Sequence, residues 1–117
     1  MRFNVQKRKY ITRPVEKKNT TTAKSYRLPP QLLEVLTKGA NEYGWNPSTF
    51  LSLIIEDYLI QMTGKRIPKS TANYTELQTR TFRLDNALIG AIAVASNPNG
   101  LTATDIIIAC LEAFKKQ

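Results

Sequence analysis

The stretch Lys24-Ser25-Tyr26-Arg27-Leu28 decides the fold, because it recurs 56 residues later as Arg80-Thr81-Phe82-Arg83-Leu84. The same shift aligns the chain with itself without a gap over 36 pairs, from Lys24 with Arg80 to Leu59 with Lys115. Six of these pairs are identical, and others keep the type of residue, such as aromatic with aromatic. The identities are Arg27/Arg83, Leu28/Leu84, Leu32/Leu88, Asn41/Asn97, Gly44/Gly100 and Glu56/Glu112. A repeat of this kind predicts two copies of one structural unit.

Each copy opens with a short alternating segment. Residues 23–28 and residues 79–84 carry apolar side chains at every second position towards their ends, which is the period of a half-buried strand. The side that must face the core carries Tyr26, Leu28, Phe82 and Leu84. The opposite side carries Ala23, Ser25, Arg27, Thr79, Thr81 and Arg83. We therefore expect both strands to cover helices with one side and to expose the other.

Apolar residues at helical spacing follow the first strand and predict two helices. The first helix should span about residues 30–43, and Gly44 suits the left-handed position just past its end. Asn46 then provides a cap, and Pro47 suits the first position of the second helix. The wide apolar stripe of this second helix requires heavy burial.

The second copy repeats the order of strand, helix, turn and helix. Its first helix is expected to stop early, because Pro98 stands where the first copy has Glu42, and Gly100 closes the turn. Thr102 and Asp105 have the spacing of a capping box for the last helix.

Composition divides the chain into four parts. Residues 1–21 are predicted to be a basic flexible N-terminal arm, residues 22–62 the first unit, residues 63–76 a linker and residues 77–117 the second unit. Each unit is too small to bury its apolar helix surface alone. The expected fold is therefore mainly α with a two-stranded antiparallel β-ribbon, in the order β-α-α-linker-β-α-α. The two units then form one intramolecular domain, a tandem pseudo-dimer.

The composition excludes several classes of protein. The 117 residues include no histidine and one cysteine, Cys110, which leaves no partner for an internal disulfide. Without histidine, zinc hydrolases and catalytic triads are not expected, and the five glycines fit no nucleotide-binding motif. We expect no enzyme, no cofactor, no metal site and no small-molecule ligand. No apolar run approaches the roughly 18 residues of a membrane span, so we expect no membrane partner and a cytoplasmic location.

The net charge of +8 is unevenly distributed. Residues 1–27 carry +8, residues 28–64 carry −3, residues 65–83 carry +4 and residues 84–117 carry −1. Positive charge thus alternates with weakly charged helical segments, which suits a polyanion contacted by particular elements. A role of the charge in solubility alone is the alternative.

In the order and spacing of these features, the chain resembles the ribbon-helix-helix DNA-binding family. The resemblance covers residues 23–60 and 79–115, and it lies in the alternating strand, the Pro or Asp at the helix start and the glycine turn followed by Asn46 or Thr102. Most family members are homodimers, and the tandem form resembles that of conjugation accessory proteins of F-like plasmids. The resemblance implies a ribbon inserted in the major groove of double-stranded DNA, with further copies of the chain on adjacent sites as an additional partner.

Base reading is expected on the outward strand side. Arginine can bond guanine bidentately, and Ser or Thr hydroxyls can bond several bases, so the set is Ala23, Ser25, Arg27, Thr79, Thr81 and Arg83. The basic residues of the N-terminal arm are expected to follow the DNA backbone or to enter a minor groove, unless the arm is a tail without a ligand. These are Lys7, Arg8, Lys9, Arg13, Lys17 and Lys18.

Phosphate contacts are expected at two places. Lys24 and Arg80 should lie at the strand ends and reach a phosphate, or extend over the helix edge instead. The resemblance also implies phosphates at the start of each later helix, at Asn46, Ser48, Thr49, Thr102 and Thr104. Asp105 repels an anion, so the first copy should offer the better phosphate site.

The leading functional expectation is a sequence-specific double-stranded DNA-binding protein, most simply a transcriptional repressor that occupies an operator. A plasmid transfer or maintenance protein that binds an origin region is one alternative. An antitoxin-type module whose N-terminal arm binds a protein partner is another. The copies differ on the presumed reading side, where Ala23 is equivalent to Thr79. We therefore expect an imperfectly symmetric or directional DNA site.

Overall fold

The two predicted strands pair with each other. In the computed structural model, which describes residues 21–116, strand β1 (Thr21–Leu28) lies antiparallel to strand β2 (Gln78–Asp85). Helices α1 (Pro30–Tyr43) and α2 (Pro47–Gln61) follow β1, and helices α3 (Asn86–Asn99) and α4 (Ala103–Lys115) follow β2. The described chain is thus mainly helical with one two-stranded antiparallel sheet, which confirms the expected fold class.

The strand register places an approximate two-fold axis at the centre of the ribbon. Ser25 faces Thr81 across the two strands, and these residues are also equivalent under the 56-residue shift. One facing pair in an antiparallel register can meet both conditions, because moving along one strand moves backwards along the other. The two copies are therefore related by a rotation about the Ser25–Thr81 pair.

The core repeats with the same symmetry. Leu28 and Leu84 are both fully buried, and Tyr26 and Phe82 are buried beside them on the helix side of the ribbon. Equivalent helix positions are buried in both copies: Leu32/Leu88, Leu36/Ile92, Phe50/Ile106, Leu51/Ile107, Ile54/Cys110 and Ile55/Leu111. Each such side chain stabilises the fold by about 1.5–3 kcal/mol. Since α4 packs on α1 and on α2, both copies share one core.

The helix ends follow the local sequence. Gly44 and Gly100 adopt the left-handed conformation just past α1 and α3, with φ of 73° and 66°. Asn46 caps α2 by accepting a hydrogen bond from a first-turn N–H. Thr102 and Asp105 form the predicted capping box of α4. None of the helices in residues 21–116 has the length and apolar character needed to cross a membrane.

One helix ends later than predicted. α3 continues through Pro98 to Asn99 and has 14 residues, as α1 does, so the expected early stop is wrong. Proline removes one N–H and crowds the carbonyl four residues earlier, that of Val94. Because Pro98 lies in the last turn, no further turn has to be built on this defect. The Asn99 side chain also donates to the Ala95 carbonyl (2.6 Å) and supports the same turn.

The linker is attached to the second copy. Ile67 is 4% exposed, and its N–H donates to Asn99 Oδ1 (2.9 Å). The Ser70 hydroxyl (2.7 Å) and the Tyr74 hydroxyl both donate to the Glu112 carboxylate of α4. Burial and this carboxylate raise the pKa of Tyr74 to about 12, so the tyrosine remains a hydrogen-bond donor at neutral pH. The linker is thereby fixed to α4 before it enters β2.

A close contact between α1 and α2 distinguishes the first copy from the second. A Cβ atom at Gly39 would stand 2.4 Å from Cε2 of Phe50, which is fully buried. The equivalent positions in the second copy hold Ala95 and Ile106. The first copy therefore combines a smaller helix residue with a larger neighbour, and the second copy does the reverse.

We predict that Gly39→Ala lowers the free energy of unfolding by about 1–3 kcal/mol, because the added methyl group overpacks the Phe50 ring. That ring has no room to move, since aromatic rings surround it at centroid distances of 5.4, 6.0 and 5.5 Å, those of Tyr43, Trp45 and Phe114. Gly90→Ala is the matched control, because Gly90 lies in a helix with open space around it. Its loss should stabilise by up to about 1 kcal/mol. Urea unfolding of both variants gives the comparison, and equal responses would contradict the close packing at Gly39.

Candidate nucleic-acid interface

The outward side of the ribbon is exposed, as the alternation predicts. All six predicted side chains on this side are exposed, while the four apolar residues of opposite parity are buried. We call the exposed set the outer ribbon face; it consists of Ala23, Ser25, Arg27, Thr79, Thr81 and Arg83.

Side chains of the outer ribbon face lie close together across the strands. The backbone N–H of Arg83 points away from β1, since it donates to Ser48 Oγ (3.0 Å). The facing pair Ala23–Arg83 is therefore a non-hydrogen-bonded pair, as is every second pair along the ribbon. Side chains approach most closely in such pairs. At the centre, the hydroxyl oxygens of Ser25 and Thr81 are 2.7 Å apart and share a hydrogen bond.

Four exposed basic residues lie on the ribbon: Lys24, Arg27, Arg80 and Arg83. Within the described part of the chain, none of these side chains pairs with a carboxylate or makes a hydrogen bond. The one acid in the strands is Asp85 at the end of β2, and it caps α3 by accepting the Ala87 N–H (3.1 Å). The ribbon therefore offers four cationic groups to a polyanion.

Lys24 and Arg80 lie inside the strands, so the prediction that they lie at the strand ends is wrong. β1 begins three residues before Lys24, and β2 begins two residues before Arg80. Pairing extends this far because the preceding residues are mostly threonines, whose branched side chains suit strands. Lys24 faces Phe82 and Arg80 faces Tyr26 on the helix side of the ribbon, yet both cations are exposed. Their contact with phosphate stays a prediction.

The start of α2 is attached to the edge of β2. Ser48 Oγ accepts the Arg83 N–H, and Asn46 Oδ1 accepts the Thr49 N–H (2.9 Å). Pro47 has no N–H. Of the three residues that open α2, Ser48 alone therefore keeps a backbone donor with no partner in residues 21–116. One donor at a positive helix end thus lies beside the ribbon.

The start of α4 carries an acid. The Thr102 hydroxyl accepts the Asp105 N–H (3.1 Å), and the Asp105 carboxylate accepts the Thr102 N–H (3.0 Å). The equivalent of Asp105 in the first copy is the neutral Thr49. Thr104 is half-buried and, within the described residues, makes no bond to β1 like that of Ser48 to β2. The two helix starts therefore differ in charge and in attachment.

The structure brings together most of the predicted site. The outer ribbon face and the start of α2 are joined directly through Ser48 and Arg83. This bond has no signal in the sequence, because Asn-Pro-Ser is also an ordinary helix start. The predicted arm residues lie outside the described residues: Lys7, Arg8, Lys9, Arg13, Lys17 and Lys18.

Other titratable groups of the described chain lie in the interior. Cys110 is fully buried, and burial raises the pKa of its thiol. Burial also raises the pKa of Tyr26 and, together with Cys110 and Glu112, that of Tyr58. In residues 21–116, no group of three or more His, Cys, Asp or Glu side chains is placed to hold a metal ion. The exposed binding chemistry described here is therefore that of the ribbon.

Comparison with known proteins found no match: no family model, no curated protein and no solved structure corresponds to the chain. The topology β-α-α-β-α-α with paired antiparallel strands is consistent with a tandem ribbon-helix-helix arrangement. This likeness rests on the repeat, the register and the burial pattern.

We predict that Ser48→Ala lowers the free energy of unfolding by about 1 kcal/mol, because the Arg83 N–H loses its acceptor at the edge of β2. Thr104→Ala removes a hydroxyl from the equivalent position of α4 and should change stability by less than about 0.5 kcal/mol. Thermal unfolding of both variants measures the difference. A loss in Thr104→Ala equal to that in Ser48→Ala would show that the bond to β2 is not the cause.

Proposed function

We propose that this chain is a sequence-specific double-stranded DNA-binding protein that inserts its β1–β2 ribbon into the major groove. The observation that carries the proposal is the outer ribbon face. It holds two arginines and three hydroxyl groups, all exposed. A surface meant only for water has no need of such a set above a fully buried opposite side.

The size of the ribbon supports this proposal. Two strands lie about 4.8 Å apart, and a major groove about 12 Å wide admits a two-stranded ribbon with its side chains. The eight residues of each strand span about 26 Å at a rise of about 3.3 Å per residue. The ribbon is therefore long enough to place both arginines in one groove.

The charge of the ribbon also supports it. In residues 21–116, ten basic residues stand against eight acidic ones, a net charge of +2. Four of the ten lie on the ribbon, without a carboxylate partner among the described residues. Phosphate contacts made by such groups release counterions, so binding should weaken as salt rises. Arg27 and Arg83, on the outer ribbon face, are the groups suited to reach guanine edges.

The biological consequence we propose is repression of transcription, because a protein seated in the groove of a promoter excludes other proteins from it. Binding is the whole activity in this proposal, with no catalytic step and no cofactor. In support, the one cysteine is buried, and its raised pKa keeps the thiol from acting as a nucleophile.

Removing one arginine of the outer ribbon face should reduce both affinity and selectivity. We predict that Arg27→Ala or Arg83→Ala costs about 1–3 kcal/mol of binding free energy at the preferred site and relaxes its base preference. Arg66→Ala is the matched control, because it removes the same charge from an exposed linker position. Gel-shift titrations against a site selected from random DNA, and against scrambled DNA, give both quantities. Full sequence preference in both ribbon variants would overturn the proposal.

The preferred site should be directional. The two halves of the outer ribbon face differ at Ala23 against Thr79 and, by one methyl group, at Ser25 against Thr81. We predict that the parent chain selects an imperfect inverted repeat from a random DNA pool. The double variant Ala23→Thr/Ser25→Thr has identical halves on this face and should select a closer inverted repeat. Equally symmetric sites for both proteins would show that these positions do not set direction.

A further inference from the structure

Helix α3 exposes a side without charge. Its 14 residues include no Asp, Glu, Lys or Arg, although only Leu88 and Ile92 are buried. The exposed residues at helical spacing are small or apolar except for one asparagine, and they are Ala87, Gly90, Ala91, Val94, Asn97 and Pro98. Val94 is 73% exposed. We call these six residues the α3 face.

The equivalent side of α1 is charged. The three charged residues of α1 are Glu34, Lys38 and Glu42, and their equivalents in α3 are Gly90, Val94 and Pro98. Every charge of α1 has therefore been replaced by an uncharged residue at the same place in the second copy. Because the two helices have equivalent positions in one fold, folding alone does not require this difference.

The α3 face continues into an open groove of about 430 Å³. Ala91, Val94 and Pro98 form its α3 side, and Leu59 and Met62 at the end of α2 form much of the other. Of the eleven lining residues, one carries a charge, Lys65. Ile60, which follows Leu59 in α2, is 65% exposed. An exposed apolar side chain beside an apolar groove is the arrangement expected of a protein–protein contact.

We propose that the α3 face binds the α3 face of a second copy of this chain. Charge identifies this occupant. Two copies that each carry +8 repel one another, so contact is cheapest through a surface that carries no charge. An uncharged surface also has nothing to attract a nucleic acid, which binds through its phosphates. A two-fold axis beside Val94 places this residue of each copy against the groove of the other, and Gly90 lets the helices approach closely.

The asymmetry of the chain limits the assembly to two copies. A contact between identical faces closes on itself, and each chain has one such face because α1 keeps its charges. A homodimer with an uncharged first helix in both subunits would carry two faces and could extend into an array. We therefore infer a pair of chains, that is, four ribbon-helix-helix units and two ribbons. This inference does not rest on DNA binding, since it is tested without DNA.

Sedimentation equilibrium of the full chain is the first test. The parent should show a concentration-dependent mass that rises from 13.2 kDa towards twice that value and no further. Val94→Lys, which restores the charge that Lys38 has in α1, should stay at the single-chain mass. Thr37→Lys, which adds the same charge to the exposed side of α1, should associate as the parent does. Val94→Lys is exposed in the chain and should melt at the parent temperature.

Disulfide cross-linking is the second test and detects weak pairs. Val94→Cys should give a covalent dimer under mild oxidation, whereas Thr37→Cys should give little. The natural Cys110 contributes no background, because it is fully buried. A single-chain mass for the parent at every concentration, together with equal cross-linking of the two variants, overturns the proposal. So does association that continues beyond two copies or survives Val94→Lys.

Discussion

The pairing of β1 with β2 is the interaction on which the rest of the structure depends. Neither strand has another strand partner in residues 21–116, and their shared helix side covers the core of both copies. Separation of the strands would expose Leu28, Leu84 and the fully buried helix residues beneath them at once. The two copies therefore have to fold together. The contacts of Ile67 and Tyr74 with the second copy shorten the free chain between the strands, which lowers the entropy cost of bringing them together.

Most of the fold could be predicted because burial leaves a periodic mark on the sequence. The alternation in residues 23–28 and 79–84 identified which side of each strand faces the helices, and Gly44, Asn46 and Thr102 marked helix ends through their own backbone chemistry. What failed depends on neighbours. Pro98 was read as a local stop, but a proline in the last turn interrupts little, and Lys24 was placed at a strand end because alternation fades before pairing does.

The candidate site divides in the same way. The outer ribbon face follows from parity, since exposed positions are the complement of buried ones. The bond from Arg83 N–H to Ser48 Oγ does not, because it joins residues 35 positions apart and both residue types have ordinary local roles. That bond matters for the site, since it fixes the start of α2 against the strand whose side chain is proposed to read DNA. The attachment of the linker through Ser70, Tyr74 and Glu112 was equally invisible in the composition of the segment.

Covalent linkage of the two copies separates requirements that a homodimer has to meet together. In a homodimer, each substitution appears twice, so a residue that improves one half-site or one surface must also be tolerated in the other. Here the core pairs stay alike, as Leu28/Leu84 and Leu51/Ile107 show, while surface pairs such as Lys38/Val94 and Thr49/Asp105 differ completely. Linkage also makes folding independent of protein concentration, whereas a homodimer loses its ribbon on dilution. The chain can therefore assign base reading to a ribbon that is always formed and leave association to a separate surface, whose strength can change without destabilising the fold.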